Sequence, residues 1–155
     1  MDPDLLPFLL SFDTRALHLN LEGLTHQEAL AQPPGGGNCV NWVLGHIVVH
    51  RNHMLRLLGR EPVWGAELDA RYDRGSQPVT GEEGAASLDA LTDALERARV
   101  SLADALQSAT PGQLEARVGS GPLGQRLVLL LAHELYHAGQ ISVLRRFLGH
   151  PGAIR

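Results

Sequence analysis

The sequence predicts an all-α fold, a four-helix bundle with a long crossover between its second and third helices. Three observations lead there. Four long stretches repeat apolar residues at spacings of three and four, and no stretch alternates with a period of two. The links between these stretches are short except for residues 60 to 86. The chain has 155 residues, of which 44% are apolar and 19% charged, so one globular domain over 1–155 is expected.

The first helix opens at Asp2-Pro3-Asp4, where a cap residue and an early proline favour a helix start. Pro7 is compatible with that helix only inside its first turn, where a missing N–H costs little. Leu5, Leu9, Phe12, Ala16 and Leu19 are expected to form its buried face, with the end near Gly23. Thr25 and Glu28 have the spacing of a capping box, so a short helix should follow and stop at Pro33-Pro34. Asn38 is the expected cap of a second long helix reaching Gly59, with His46, His50 and His53 along it. Residues 60 to 86 hold Pro62, Gly65, Gly75, Pro78, Gly81 and Gly84 and no sustained period, which predicts a crossover with a short helix near Trp64 to Ala70. Ser87 caps the third helix, whose seam is Leu88, Leu91, Leu95, Ala98, Leu102 and Ala105, and Thr110-Pro111-Gly112 ends it. Pro122 opens the fourth helix.

The run from Leu127 to Leu148 is the chain's most apolar element, and it carries His133 and His137. Four residues turn a helix by about 400°, so both imidazoles leave one face a turn apart. That face is predicted to be Leu130, His133, His137, Ile141, Leu144 and Leu148, a stripe that normally faces a core. Two neutral imidazoles so spaced can share one divalent ion. A third ligand should come from the second helix, where spacing alone leaves His46, His50 and His53 open. Three imidazoles suit zinc, nickel or iron.

The residues His133-Glu134-Leu135-Tyr136-His137 also match HExxH, the zinc-protease motif. No acidic residue follows Glu134 and no histidine stands at 143, so the downstream ligand of those proteases is missing and the match reads as fortuitous. Glu134 points about 100° away from His133 and is expected to be a solvated or interface carboxylate. Gln140, one turn past His137, is the candidate hydrogen-bond partner behind a ligand. Cys39 lies near a helix N-terminus and is expected to be a small buried residue rather than a reactive thiol.

Asn41-Trp42-Val43-Leu44-Gly45-His46, together with His133-x-x-x-His137-x-Gly139-Gln140, resembles the two motifs of the DinB/YfiT-like superfamily. The resemblance spans nearly the whole chain and includes the crossover. It implies a four-helix bundle, often dimeric, in which three histidines hold a divalent metal, zinc or nickel, with one position open. It also assigns His46 as the third ligand beside His133 and His137. Glu134 and Tyr136 depart from the second motif. Characterised members include transferases and isomerases that use bacillithiol, mycothiol or glutathione. A low-molecular-weight-thiol S-transferase acting on a small molecule is therefore the expected activity. A metal-dependent hydrolase and a non-catalytic metal-binding bundle are the alternatives.

The formal net charge of −4 and the lack of a basic run argue against nucleic acid. The charge comes from 13 basic residues, all arginine, against 17 acidic ones. A single cysteine fits a reducing cytoplasm, and the acidic opening MDPDLL predicts no secretory signal. His, Glu and Gln interrupt the apolar run of the last helix, so no membrane span is expected. Apolar residues on several sides of Leu127 to Ala132 predict a homodimer.

Overall fold

A computed structural model describes Asp2 and residues 4–153; Pro3, part of the expected helix opening, lies outside the described residues. The described residues are mostly helical, with four long helices: α1 (Leu5–Leu21), α3 (Val40–Leu57), α5 (Leu88–Ser108) and α7 (Leu123–Phe147). Between them lie the short helices α2 (His26–Leu30), α4 (Ala66–Tyr72) and α6 (Pro111–Glu115). Strands β1 (Arg117–Val118) and β2 (Gly121–Pro122) pair as a small antiparallel hairpin that the sequence reading did not foresee. Two residues per strand are too few to display a period.

Local chemistry accounts for the boundaries. Pro7 falls in the first turn of α1, as its missing donor requires, but Asp4 makes no side-chain cap bond. Thr25 and Glu28 form the predicted capping box of α2. Ser87 accepts from the Ala90 amide and starts α5. Thr110 does more than end α5: with Gln113 it makes a second capping box, which starts α6. Helix α3 begins one residue later than expected, with Cys39 rather than Asn38 at its N-cap.

Each long helix packs on two others: α1 against α7 and α5, and α3 against α5 and α7. Two apolar clusters fill the interior. One gathers Leu17, Leu21, Val43, Ile47, Leu91 and Ile141, and the other gathers Leu6, Leu10, Met54, Leu102, Leu127 and Leu131. The late part of α1 and the early part of α3 share the first cluster, so these two run in opposite directions. α3 and α5 both run from the first cluster to the second, and such a parallel pair needs a connection that returns the chain along its length. Residues 58–87 are that return.

Two predicted faces are rotated in the structure. On α1 the buried residues are Leu6, Leu10, Asp13, Thr14, Ala16, Leu17, Asn20 and Leu21, while Leu5 and Phe12 are exposed. The helix start is apolar all round, so period alone could not choose the stripe. On α7 the core takes Leu127, Leu131, Glu134, Ala138 and Ile141, and places His133 at the edge of the core. The seam of α5 agrees with prediction at every named position.

Between the two clusters lies a charged layer. Arg51 and Glu134 are both fully buried and form an ion pair, with Arg51 Nε 3.0 and 3.2 Å from the two carboxylate oxygens. Arg51 also donates to the Leu95 carbonyl at 3.0 Å and to Thr14 Oγ1 at 2.9 Å. One guanidinium therefore ties all four long helices together. The expectation of a solvated Glu134 is corrected here. It does point away from the histidine face, but that direction leads into the core. Asp13 shares the layer with both carboxylate oxygens unpartnered, and burial first, then repulsion from Glu134, pushes its pKa up to about 8.

Candidate metal centre

The site forms where α3 faces α7. Helix α3 buries most of its circumference, so its histidines are carried into the interior rather than displayed on a polar face. Gly45 lets the ring of Tyr72 lie flat on α3: an added Cβ would come within 2.7 Å of three atoms of that ring. The close approach that Gly45 allows is thus to Tyr72, at the end of the short crossover helix α4. Tyr72 is itself fixed, donating to Asn41 Oδ1 at 3.0 Å and accepting from the Ala86 amide at 2.8 Å. Its backbone carbonyl accepts a 2.8 Å hydrogen bond from His46 Nδ1. Trp42 stacks on the His46 ring, with centroids 4.8 Å apart, and donates its indole N–H to Ser76 Oγ at 2.9 Å. The crossover therefore orients His46 from two sides.

On α7, His137 Nδ1 donates to Gln140 Oε1 at 2.7 Å. Its Nε2 lies 3.2 Å from His133 Nε2. Two imidazole nitrogens bound to one zinc ion at tetrahedral angles stand about 3.3 Å apart, so this separation fits a shared ion. Ligand nitrogens of His46, His50 and His133 all lie within 4.8 Å of one another. His46 and His137 are buried, and His50 and His133 are half-buried. The structure thus joins the expected His46, His133 and His137 in one cluster and adds His50. His53 is outside it, with its ring 3.3 Å from Arg126 Nη2.

Electrostatics favour the neutral, ligand form of His46, His50 and His137. Burial, and then the neighbouring histidines, lowers the pKa of His50 to about 3. Burial likewise lowers that of His137 to about 4, against the opposing bond to Gln140, and it lowers that of His46. Neutral imidazoles are what a metal requires. The Nδ1 atom of His50 is buried without any hydrogen-bond partner, a state that a bound cation would relieve; that of His133 is likewise unpartnered, and an ion shared through its Nε2 leaves it so. A donor set of imidazole nitrogens fits a borderline divalent ion such as zinc or nickel.

Glu134 takes no part. Its carboxylate is committed to Arg51 on the core side of α7, so the HExxH spelling carries no base near the cluster. Cys39 is fully buried, and its Sγ lies 3.4 Å from the Val79 carbonyl, as expected of a packing residue.

A cleft of about 630 Å³, lined by Gly36, Gly37, Val43, Tyr136 and Gln140 among others, reaches the cluster through Tyr136 and Gln140, both of which contact His137; no clustered histidine lines it. Tyr136 packs edge-on against His137, with ring centroids 5.3 Å apart. The far wall comes from the link between α2 and α3. Sequence reasoning missed Arg51 and Tyr72. An arginine inside the apolar run of α3 was a signal for the first; nothing marked the second.

A search of the curated proteins finds no match to the chain. The sequence pattern that defines the DinB superfamily matches residues 10–141, a stretch containing all four clustered histidines and Gln140. The chain belongs to the DinB superfamily.

Proposed function

We propose that this chain is a divalent-metal-dependent enzyme, with His46, His133 and His137 holding the ion, that transfers a low-molecular-weight thiol to a small electrophile. The observation that carries the reading is the convergence of two preset rings: the Tyr72 carbonyl holds His46 and Gln140 holds His137, each through Nδ1, which leaves Nε2 free. A zinc or nickel ion bound there supplies a Lewis-acid position at which a thiol ionises near neutral pH. The chain's own residues do the rest. Tyr136 and Gln140 wall the adjoining cleft, and Val43, Leu135, Val143 and Leu144 keep it apolar, which orients a small electrophile and limits water.

Around that site we propose a single four-helix-bundle domain over 1–155, supported by the four mutually packed long helices and the return connection. A cytoplasmic homodimer without nucleic-acid or membrane partners completes the reading. Its supports are the net charge of −4, the buried unpaired Cys39, and exposed large apolar side chains: Phe8 and Phe12 on α1, and Leu129, Val143 and Phe147 on α7. Helix α7 is long and apolar enough to cross a membrane, yet it buries Glu134 and Arg145 against its neighbours.

The test supplies metal-loaded protein with bacillithiol, mycothiol or glutathione and a haloaromatic electrophile. Conjugation above the uncatalysed rate, lost in His133→Ala, is expected. If no thiol accelerates consumption of the electrophile while an ester or amide is hydrolysed in a metal-dependent way, the protein is a hydrolase and the transferase reading is wrong.

A further inference from the structure

Four imidazoles, not three, meet between α3 and α7, and they form a closed figure. Along α3 the His46 and His50 rings are 4.5 Å apart, and along α7 the His133 and His137 rings are 4.4 Å apart. Across the interface His50 lies 4.4 Å from His133, and His46 lies 4.9 Å from His137. The remaining measured separation, His46 to His133 at 5.8 Å, is a diagonal. Each ring therefore neighbours two others, as donors grouped around one centre do.

A three-histidine centre leaves His50 without a purpose. Its Nδ1 is buried and unpartnered, and one of its nitrogens lies within 4.8 Å of ligand nitrogens on both His46 and His133. Polar ring atoms are rarely buried unbonded unless something absent from the protein chain satisfies them. A packing histidine turned to an ordinary acceptor, as His46 is toward Tyr72, would not show this.

We propose that His50 is a fourth imidazole ligand, so that the ion is held by two facing i, i+4 pairs, one from each helix. This rests on the divalent-metal reading above. It changes what that centre can do. A small anionic ligand must enter as a fifth donor or take the place of an imidazole, so it binds more weakly than at a centre with three histidines.

The experiment uses the full chain made without a histidine tag, stripped of metal and titrated with cobalt(II) against a competing chelator. His50→Phe keeps the ring's packing and removes both nitrogens. It should weaken cobalt binding beyond the roughly 10–100-fold typical of a lost outer-shell partner and shift the visible cobalt bands. His53→Ala should change neither. A second readout needs no substitution: imidazole nitrogen NMR of the parent with zinc should show four histidines shifted by the ion. If His50→Phe binds cobalt within about threefold of the parent, with unchanged bands, the fourth ligand is refuted. Three shifted imidazoles with His50 unmoved would refute it equally. His133→Ala separates the two levels. If that variant too binds like the parent, the metal reading itself fails; if it alone loses the ion, a three-histidine centre stands and only His50 is misassigned.

Discussion

Replacing Asp13 with asparagine tests the charged layer that joins the four long helices. Asp13 is fully buried, neither carboxylate oxygen has a partner, and its pKa rises from 3.8 to about 8. Burial is the main cause and Glu134 adds to it, while Arg51, already neutralised by Glu134, opposes only in part. The folded chain thus keeps this proton over a range in which the unfolded chain has lost it. Folding takes up a proton between about pH 4 and pH 8, so stability falls as pH rises through that window, by about 1.4 kcal/mol per pH unit. Between pH 5 and pH 8 that amounts to about 4 kcal/mol, a large part of a domain's total stability. Asp13→Asn has the same shape and no proton to lose, so it should lack this slope. Urea unfolding of metal-free parent and variant, from pH 5 to 8, isolates the effect because every other titrating group is common to both. The variant should gain on the parent steadily as pH rises, reaching about 4 kcal/mol relative to its standing at pH 5. Parallel curves, with a gap constant to about 0.5 kcal/mol, would show that Asp13 is ionised or solvated in the fold and refute the reasoning.

Glu134→Gln should leave the Arg51 guanidinium buried without a counter-charge, at a cost of about 3–5 kcal/mol and a large fall in melting temperature. Unchanged stability would mean the ion pair does not hold the helices. Gly45→Ala drives a methyl group into the Tyr72 ring and should cost about 1–3 kcal/mol. It should also weaken metal binding, since the Tyr72 carbonyl holds His46; calorimetric metal titration beside a thermal melt checks both. His137→Ala should abolish retention of the ion while His53→Ala, whose ring faces Arg126, should not, as read by element-resolved metal analysis. Circular dichroism should be dominated by helix, because the strands among the described residues, Arg117–Val118 and Gly121–Pro122, hold two residues each.

By itself the sequence determined the four long helices and the positions of the histidines along them. These helices were legible because period, caps and breakers act within a few residues: Ser87 before α5, and for the short α2 the capping box at Thr25 and the stop at Pro33-Pro34. The facing of His133 and His137 followed from helical rotation alone, and so did the direction of Glu134 away from them. The tertiary structure decided what lies in each direction. Glu134 and Arg51 are 83 residues apart, and no local rule reveals that the one answers the other in the core. The stripe on α1 was ambiguous because apolar residues surround its first turns, and only packing against α5 and α7 selects Leu6, Leu10 and Asp13 over Leu5, Leu9 and Phe12. His50 entered the cluster and His53 left it for the same reason. The α3–α7 interface sets how far along α3 the facing helix carries its own pair, and spacing within one helix holds no information about its offset from another.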